Sequence, residues 1–294
     1  MNGFINVYKP KKMSSAFCLN KIKRKFGFKC GHMGTLDPLA CGILPVGIGQ
    51  ATRLFDCLLD KKKVYVAEFT FGTETDTLDL EGKPVFTGGK IPSKAEIIDL
   101  LPHFCGNIQQ VPPAFSAKCV DGKKSYKLAR KGIAVELNPK EVTVYSIEVL
   151  SDDDGGEKNN NGIFRFKIEC GGGTYIRSLA RDIGRAAGSY ATMTGLERVA
   201  CGYFTKENSV TLQQIENAKD ISELLIKSDE VLDFPKLYLD KAKATRLLNG
   251  LRDEYAENDG DYLVYAETEN GENEFWGVGH ISQKILIIKP YVRG

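Results

Sequence analysis

The chain has 294 residues, of which 42% are hydrophobic and 27% charged, and its net charge is +2. This composition excludes global disorder, and the length favours a larger domain followed by a smaller module. The sequence shows no signal peptide and no apolar stretch long enough to cross a membrane, so we expect a cytoplasmic protein that does not associate with a membrane. Its eight cysteines include no C-x-x-C pair, so we expect no zinc site.

Basic residues are concentrated in the first part of the chain. Residues 1–131 contain 21 Lys and Arg against 11 Asp and Glu, whereas residues 132–294 contain 19 against 27. A single lysine run is typical of a solvated surface, but several runs in one half favour a polyanionic partner, because basic side chains follow a phosphate backbone.

The first predicted elements are a strand over Phe4–Tyr8 and a helix that Ser14 or Ser15 can cap and Gly27 can end. Val64–Phe71 is predicted to form another strand. A capping box at Ser93–Glu96 predicts a short helix. The last element of this half is a predicted basic helix over Lys123–Lys131, closed by Gly132.

The second half begins with a predicted hairpin, made of strands at Val142–Leu150 and Ile163–Cys170 with the polar loop Ser151–Gly162 at its tip. A glycine run then leads into a helix over Tyr175–Ala187. Thr211 caps a further helix, and Ser228–Lys236 is the predicted domain boundary. Beyond it we predict a small, mostly β module with these elements: a helix at Lys241–Asn249 and strands at Tyr262–Glu267, Glu274–Val278 and Lys284–Ile288.

A candidate catalytic carboxylate lies in the segment from Gly31 to Gln50, where Asp37 is followed directly by Pro38 among small residues. Glycine allows close backbone approach and proline restricts its neighbour, so this pattern favours a fixed, exposed aspartate. An ordinary Asp-Pro turn is the commoner explanation when the dipeptide stands alone.

A second chemical element is the glycine run Gly171–Gly173 before the helix that contains Arg177. Such a turn exposes backbone N–H groups to an anion, but its residue order matches neither a P-loop nor a dinucleotide fingerprint. Arg177 could pair with a buried carboxylate and keep it ionised, or it could form only a surface ion pair.

Together these segments resemble the TruB-type pseudouridine synthases, which convert uridine 55 of tRNA to pseudouridine. The matching residues run in family order across about residues 3–204, which makes chance a poor explanation. They are Gly3, Lys9-Pro10, Gly31-His-x-Gly-Thr-Leu-Asp37-Pro38, Lys63-x-Tyr65, Gly72-x-x-Thr75-Asp76-Thr77, Pro112-Pro113-x-x-Ser116-Ala117, Gly122-x-x-x-Tyr126-x-x-Ala129-Arg130, Gly173-Thr-Tyr175-Ile-Arg177, and Leu196 before Gly202-x-Phe204.

The resemblance implies a role for each site residue. Asp37 would be the catalytic carboxylate, by attacking or deprotonating the target nucleotide. Tyr65 would lie against the uracil and assist proton removal from C5, and Arg177 would hold Asp37 ionised. The other implied contacts are Leu196 as a pocket wall, His32 and Tyr175 against the flipped nucleotide, and Lys9 as a support near the loop.

The resemblance also implies the architecture and the partners. We expect an α+β pseudouridine-synthase fold, with a central mixed, largely antiparallel sheet flanked by helices, over residues 1–232. A PUA-like RNA-binding β module would follow over residues 233–294. An insertion at about residues 111–141 would clamp the T-arm of tRNA through Lys123, Lys124, Lys127 and Arg130. The reaction rearranges two fragments of one nucleotide, so we expect no cofactor. We also expect a monomer without a metal site and without a guide RNA.

Two alternatives stay open on the sequence alone. One is a non-catalytic RNA binder or tRNA-folding chaperone, which the presence of Asp37 disfavours as the sole role. The other is a guide-RNA-dependent relative, which the short terminal module disfavours. The chain departs from the usual family residues beside Asp37 rather than on it, at Lys12, Ser14, Lys118-Cys119 and Glu197. These departures bear on RNA affinity more than on the type of reaction.

Overall fold

The computed structural model describes residues 1–59, 61–116, 119–120, 122–129, 133, 137–150, 162–249, 251, 254–268 and 270–291. The strands are β1 Gly3–Lys9, β2 Cys30–His32, β3 Cys41–Ile48, β4 Lys63–Phe71, β5 Thr73–Thr75, β6 Pro84–Thr87, β7 Gly106–Gln110, β8 Cys119–Val120, β9 Lys123–Lys124, β10 Lys140–Val149, β11 Ile163–Cys170, β12 Ala191–Cys201, β13 Phe204–Thr205, β14 Lys236–Leu239, β15 Gly260–Glu267, β16 Asn273–Ser282 and β17 Ile285–Tyr291. The helices are α1 Ser15–Phe26, α2 Phe55–Leu59, α3 Lys94–Leu100, α4 Ser125–Ala129, α5 Ile176–Ala186, α6 Leu212–Asn217 and α7 Lys241–Leu248.

A central sheet organises the larger part of the molecule, with the strand order β1-β3-β12-β4-β11-β10-β7, and with β2 and β13 attached to β3 and β12. Within the described strands, β3 and β12 are parallel and the other pairs of this sheet are antiparallel. The predicted mixed, largely antiparallel sheet flanked by helices is therefore confirmed.

The main hydrophobic core lies on one face of this sheet. Along β4, alternate side chains are buried, as the period of two requires when only one face is covered. Phe69 on β4 packs against Phe166 on β11 with ring centroids 4.7 Å apart. Helices α1 and α5 cover this face with apolar side chains that include Ile22 and Leu179. Residues of β4, β12 and α5 beside this core also line the cavity of the candidate site.

Helix α1 begins and ends where the sequence predicts. The Ser14 side chain accepts a hydrogen bond from the amide of Phe17, and Gly27 ends the helix in a left-handed conformation with φ of 76°. The Ser93–Glu96 and Thr211–Gln214 capping boxes also form as predicted. Short-range capping chemistry thus fixes these helix starts.

The predicted basic helix over Lys123–Lys131 is wrong in its extent. Lys123 and Lys124 form the short strand β9, which pairs with β8, and helix α4 covers only Ser125–Ala129. A hairpin partner overrides the helical pattern at these lysines. Gly132, which was to close the helix, lies outside the described residues, as does the hairpin tip at 151–161.

The terminal module contains a four-stranded sheet with the order β14-β15-β16-β17, and α7 packs on it as predicted. A second core cluster joins this sheet to the central one: Val231 and Leu232 pack with Phe4 on one side and Leu263 on the other. The exact domain boundary and the PUA-like character of the module stay predictions. Among the helices that the structure describes, none combines the length and the apolarity needed to span a bilayer.

Gly42 allows β12 to approach β3. Its φ is 105°, and a Cβ added there would lie 2.2 Å from the backbone oxygen of Arg198. We expect Gly42→Ala to lower the free energy of unfolding by at least about 3 kcal/mol, because the backbone strain and the clash add. Gly27→Ala is the matched control: its φ is also positive but the space is open, so about 1 kcal/mol is expected. Equal losses in urea denaturation would contradict this account.

Candidate active site

A cavity of about 610 Å³ opens between the central sheet, the loop before β3 and the first turn of α5. This volume is within the usual range for small-molecule sites. Five of the predicted site residues line it together: Asp37, Tyr65, Tyr175, Arg177 and Leu196. Residues as far apart in sequence as Asp37 and Leu196 thus meet at one site.

Asp37 is held in a loop that is fixed from two sides. The Ser15 hydroxyl on α1 donates to the carbonyl of Leu36 and accepts from its amide, both at 2.9 Å. The amide of Lys12 donates to the carbonyl of Pro38 at 2.7 Å. With both neighbours of Asp37 bonded, the carboxylate has a defined position, and its side chain is 36% exposed towards the cavity.

Arg177 in the first turn of α5 is the cationic partner of Asp37. Its side chain is only 8% exposed, and Nε lies 3.0 Å from Oδ2 of Asp37. The guanidinium also donates to the carbonyls of Thr77 and Phe115, each at 3.0 Å. The surface ion pair considered for this arginine is therefore wrong, and Arg177 instead joins three separate segments at the cavity.

A second carboxylate, Asp79, was not predicted. It lies 3.5 Å from Nη1 of Arg177 and is 6% exposed. Its Oδ1 accepts from the Thr77 hydroxyl at 2.6 Å and from the Glu81 amide at 3.0 Å. The segment Thr75–Leu80 contains two aspartates, and the sequence alone does not show which one turns inward. Arg177 thus lies between two carboxylates.

The pKa of Asp37 is raised above its ordinary value. Burial of the carboxyl group is the largest cause, and the Asp79 carboxylate adds to the rise, while Arg177 and Lys9 oppose it. The expectation that Arg177 favours the ionised form of Asp37 is correct in direction, but burial outweighs it.

Tyr65 and the unpredicted Arg198 form the sheet side of the cavity. Burial raises the pKa of Tyr65 to about 12, although a hydrogen bond from Arg198 opposes the rise, so the phenol is neutral at neutral pH. Arg198 is buried and donates to the carbonyls of Ile43 at 2.7 Å and Gly34 at 3.1 Å. These carbonyls lie on either side of the Asp37 loop. One arginine thus links that loop to Tyr65.

Two predicted site residues do not line the cavity. Lys9 is fully buried behind the loop, and its ammonium donates to the carbonyls of Pro10 and Met13. His32 on β2 is half-buried, and burial and the charge of Arg198 lower its pKa. Lys9 thus holds the turn from Pro10 to Met13. Its support of the site and a contact between His32 and the nucleotide stay predictions.

Two backbone amides of the glycine turn before α5 already donate to acceptors within the protein. The amide of Gly171 donates to the carbonyl of Thr143, and the amide of Tyr175 donates to Oε1 of Gln110, both at 2.8 Å. The expectation that this turn offers its N–H groups to an anion is therefore wrong for these two amides. Gln110 on β7 instead caps the helix that carries Arg177.

The side chains of the predicted RNA clamp lie outside the described part of the chain. Lys123 and Lys124 are placed in β9 and Lys127 in α4, but their side chains are not described, and Arg130 is not described at all. In the described residues no three or more His, Cys, Asp or Glu side chains gather in a metal-binding arrangement.

Comparison with protein families gives two matches that cover most of the chain. The TruB family pseudouridylate synthase N-terminal domain matches residues 20–176, and the tRNA pseudouridylate synthase B C-terminal domain matches residues 177–241. The first match contains Asp37, Tyr65 and Asp79, and the second begins at Arg177. The cavity is thus assembled from both matched segments.

Individual proteins give the same result. The tRNA pseudouridine synthase B of Clostridium novyi is 40% identical over 297 residues, covering 98% of this chain and 99% of the relative. That of Anaplasma marginale is 45% identical over 218 residues, covering 74% and 70%. The solved structure of a Cbf5-Nop10-Gar1 complex matches with a TM-score of 0.66 and 24% identity over 99% of this chain and 84% of that one, which shows the shared fold. The chain therefore belongs to the TruB family of pseudouridylate synthases.

Proposed function

We propose that Asp37 is the catalytic carboxylate with which this tRNA pseudouridine synthase isomerises uridine 55. The observation that supports this role is the ion pair between Asp37 and Arg177 at the floor of the cavity. A carboxylate that is held by its loop, paired to a buried arginine and open to a nucleotide-sized space can act directly on a bound nucleotide.

The reaction balances without a further reactant. The N1–C1′ bond of the uridine breaks and a C5–C1′ bond forms, while a proton leaves C5 and another joins N1. Asp37 acts on the target nucleotide by attack or by taking up a proton, so that uracil is released, turns and rejoins through carbon. The expected absence of a cofactor and a metal is consistent with this balance and stays a prediction.

The walls of the cavity suit a base that has left its stack. Leu196 and Tyr65 present an apolar surface and a neutral aromatic ring, and Tyr175 also lines the cavity. Unstacking costs a few kcal/mol, and each aromatic contact with a base contributes about 1–3 kcal/mol in return. We assign Tyr65 to the face of the uracil, from which it can also assist removal of the C5 proton.

The substrate is tRNA, and we infer that the T-arm is the part recognised, without a guide RNA. The basic first part of the chain supports this partner, because a folded RNA loop is bound through phosphates and splayed bases. The insertion at about residues 111–141 would clamp the arm, and the terminal module would serve as a PUA-like RNA contact. A monomeric state and a cytoplasmic location stay predictions.

The experiment that tests this function uses purified protein and an unmodified tRNA transcript, without guide RNA or cofactor. Pseudouridine is then mapped along the transcript. We expect modification at uridine 55 alone, in the full tRNA and in an isolated T-arm hairpin. Modification that required an added guide RNA, or that occurred in another arm, would contradict the proposal.

The raised pKa of Asp37 predicts how the rate depends on pH. Because the carboxylate is the active form, the single-turnover rate should rise with pH as Asp37 loses its proton. The midpoint of this rise should lie at a pH above 3.8, the ordinary pKa of aspartate. Asp79→Asn removes a negative charge that raises this pKa, so the midpoint of the rise in rate should move to lower pH in this variant. A midpoint that moved to higher pH would contradict the assignment of Asp37 as the titrating carboxylate.

A further inference from the structure

A strained lysine lies next to the loop that holds Asp37. We propose that Lys12 binds a backbone phosphate of the RNA at the rim of the cavity, beside the nucleotide that enters it. This inference rests on the proposed function, because it takes the ligand to be the same RNA. Lys12 is not among the residues that line the cavity, so this inference adds a further binding residue.

The backbone around Lys12 is determined by another lysine. The ammonium of the fully buried Lys9 donates to the carbonyls of Pro10 at 3.0 Å and Met13 at 2.6 Å. A buried charge needs such partners, so the turn from Pro10 to Met13 directs these carbonyls inward. Lys11 and Lys12, the two residues between them, are exposed to solvent.

This turn gives Lys12 a conformation that suits glycine or asparagine. Its φ is 63°, in the left-handed region that a lysine side chain disfavours. The side chain makes no hydrogen bond or ion pair with any other residue that the structure describes. Contacts within the described fold therefore do not account for a lysine at this strained position, and such residues cluster where a ligand is held.

The position and surroundings of Lys12 indicate an anionic ligand. The amide of Lys12 donates to the carbonyl of Pro38 at 2.7 Å, and Pro38 lines the cavity next to Asp37. The first 36 residues contain eight Lys and Arg and no Asp or Glu. Several of these side chains are exposed: Lys11, Lys23, Arg24, Lys25 and Lys29. A base inside the cavity keeps its flanking phosphates near the rim. The exposed side chain of Lys12, whose backbone is bonded to Pro38, is placed to meet one of them.

The test measures equilibrium binding of an unmodified T-arm hairpin over a series of salt concentrations. Lys12→Asn removes the charge and keeps a residue that tolerates the left-handed conformation. We expect its slope of log Kd against log salt to become shallower by about one unit, with Kd about five- to eightfold weaker at 0.1 M salt. Lys12→Arg keeps the charge and should retain the wild-type slope. The thermal midpoint of Lys12→Asn should not fall, since the substitution relieves strain.

Lys94→Asn is the control, because Lys94 is also an exposed lysine but lies in the first turn of α3 and does not line the cavity. It should leave the slope unchanged. An unchanged slope in Lys12→Asn, an equal loss in Lys12→Arg, or an equal change in Lys94→Asn would each overturn the phosphate contact. Binding is measured without turnover, so a failure of Lys12 is distinct from a failure of the catalytic role, which the pseudouridine assay with Asp37 variants reports.

Discussion

Replacing Asp37 with asparagine is expected to reduce pseudouridine formation at least about 10⁴-fold, since the amide can neither attack nor take up a proton as the carboxylate does. Affinity for tRNA should stay within about tenfold of wild type, because the RNA is held through many phosphates and one carboxylate adds little. The measurement is single-turnover pseudouridine formation on a T-arm hairpin, together with a binding titration on the same RNA. Asp37→Ala should give the same result.

The control for this variant is Asp56→Asn, which changes an exposed aspartate in the first turn of α2. It should leave the rate and the affinity unchanged. Residual turnover above about one per cent in the Asp37 variants would refute the assigned role. Loss of tRNA binding in parallel with loss of turnover would instead show that Asp37 acts through the shape of its loop.

The second large effect is expected at Arg177. Arg177→Met removes the cation between Asp37 and Asp79 and leaves the buried Asp79 carboxylate without its charge partner. Breaking a buried pair in this way costs about 3–5 kcal/mol of unfolding free energy. Turnover should fall at least about 10²-fold even in folded protein, because Asp37 loses its fixed position. Urea denaturation gives the first quantity, and single-turnover rates at low temperature give the second.

Arg177→Lys separates charge from geometry. Lysine keeps the positive charge but lacks the planar fork that reaches Asp37 and the carbonyls of Thr77 and Phe115 together. An intermediate loss of both stability and turnover is therefore expected. Arg24→Lys, on the exposed side of α1, is the control and should change neither. A lysine variant with wild-type turnover would show that the charge alone suffices.

The sequence predicts the elements whose signals are local. Ser14 and Gly27 mark the ends of α1 by capping chemistry, and the alternation along Val64–Phe71 predicts β4 because only one face of the sheet is covered. The strands β3 and β12 were not predicted. Pro45 and two glycines, Gly42 and Gly47, interrupt the pattern of β3. The parallel pairing of β3 with β12 at Arg198 joins segments about 150 residues apart, which no local pattern reveals.

The same distinction applies to the site. Asp37 and Arg177 could be found from the sequence because each lies in a dense, unusual motif. Asp79 could not be separated from Asp76, since only the turn at Leu78, with φ of 63°, determines which carboxylate points inward. Arg198 resembles an ordinary strand arginine until its position opposite Gly42 is known. Residues that act by bonding distant segments to each other are thus the ones that the sequence does not identify.

The place of β12 in the strand order has a consequence for the newly made chain. In the described sheet β12 alone joins the strands β1 and β3 to the strands from β4 onward, and it ends at Cys201. Until a ribosome has released that strand, the halves of the sheet have no common partner, and pairing over such a separation is slow. A fragment that stops at residue 176 should therefore remain open and prone to aggregation, and catalytic competence should arise late in synthesis.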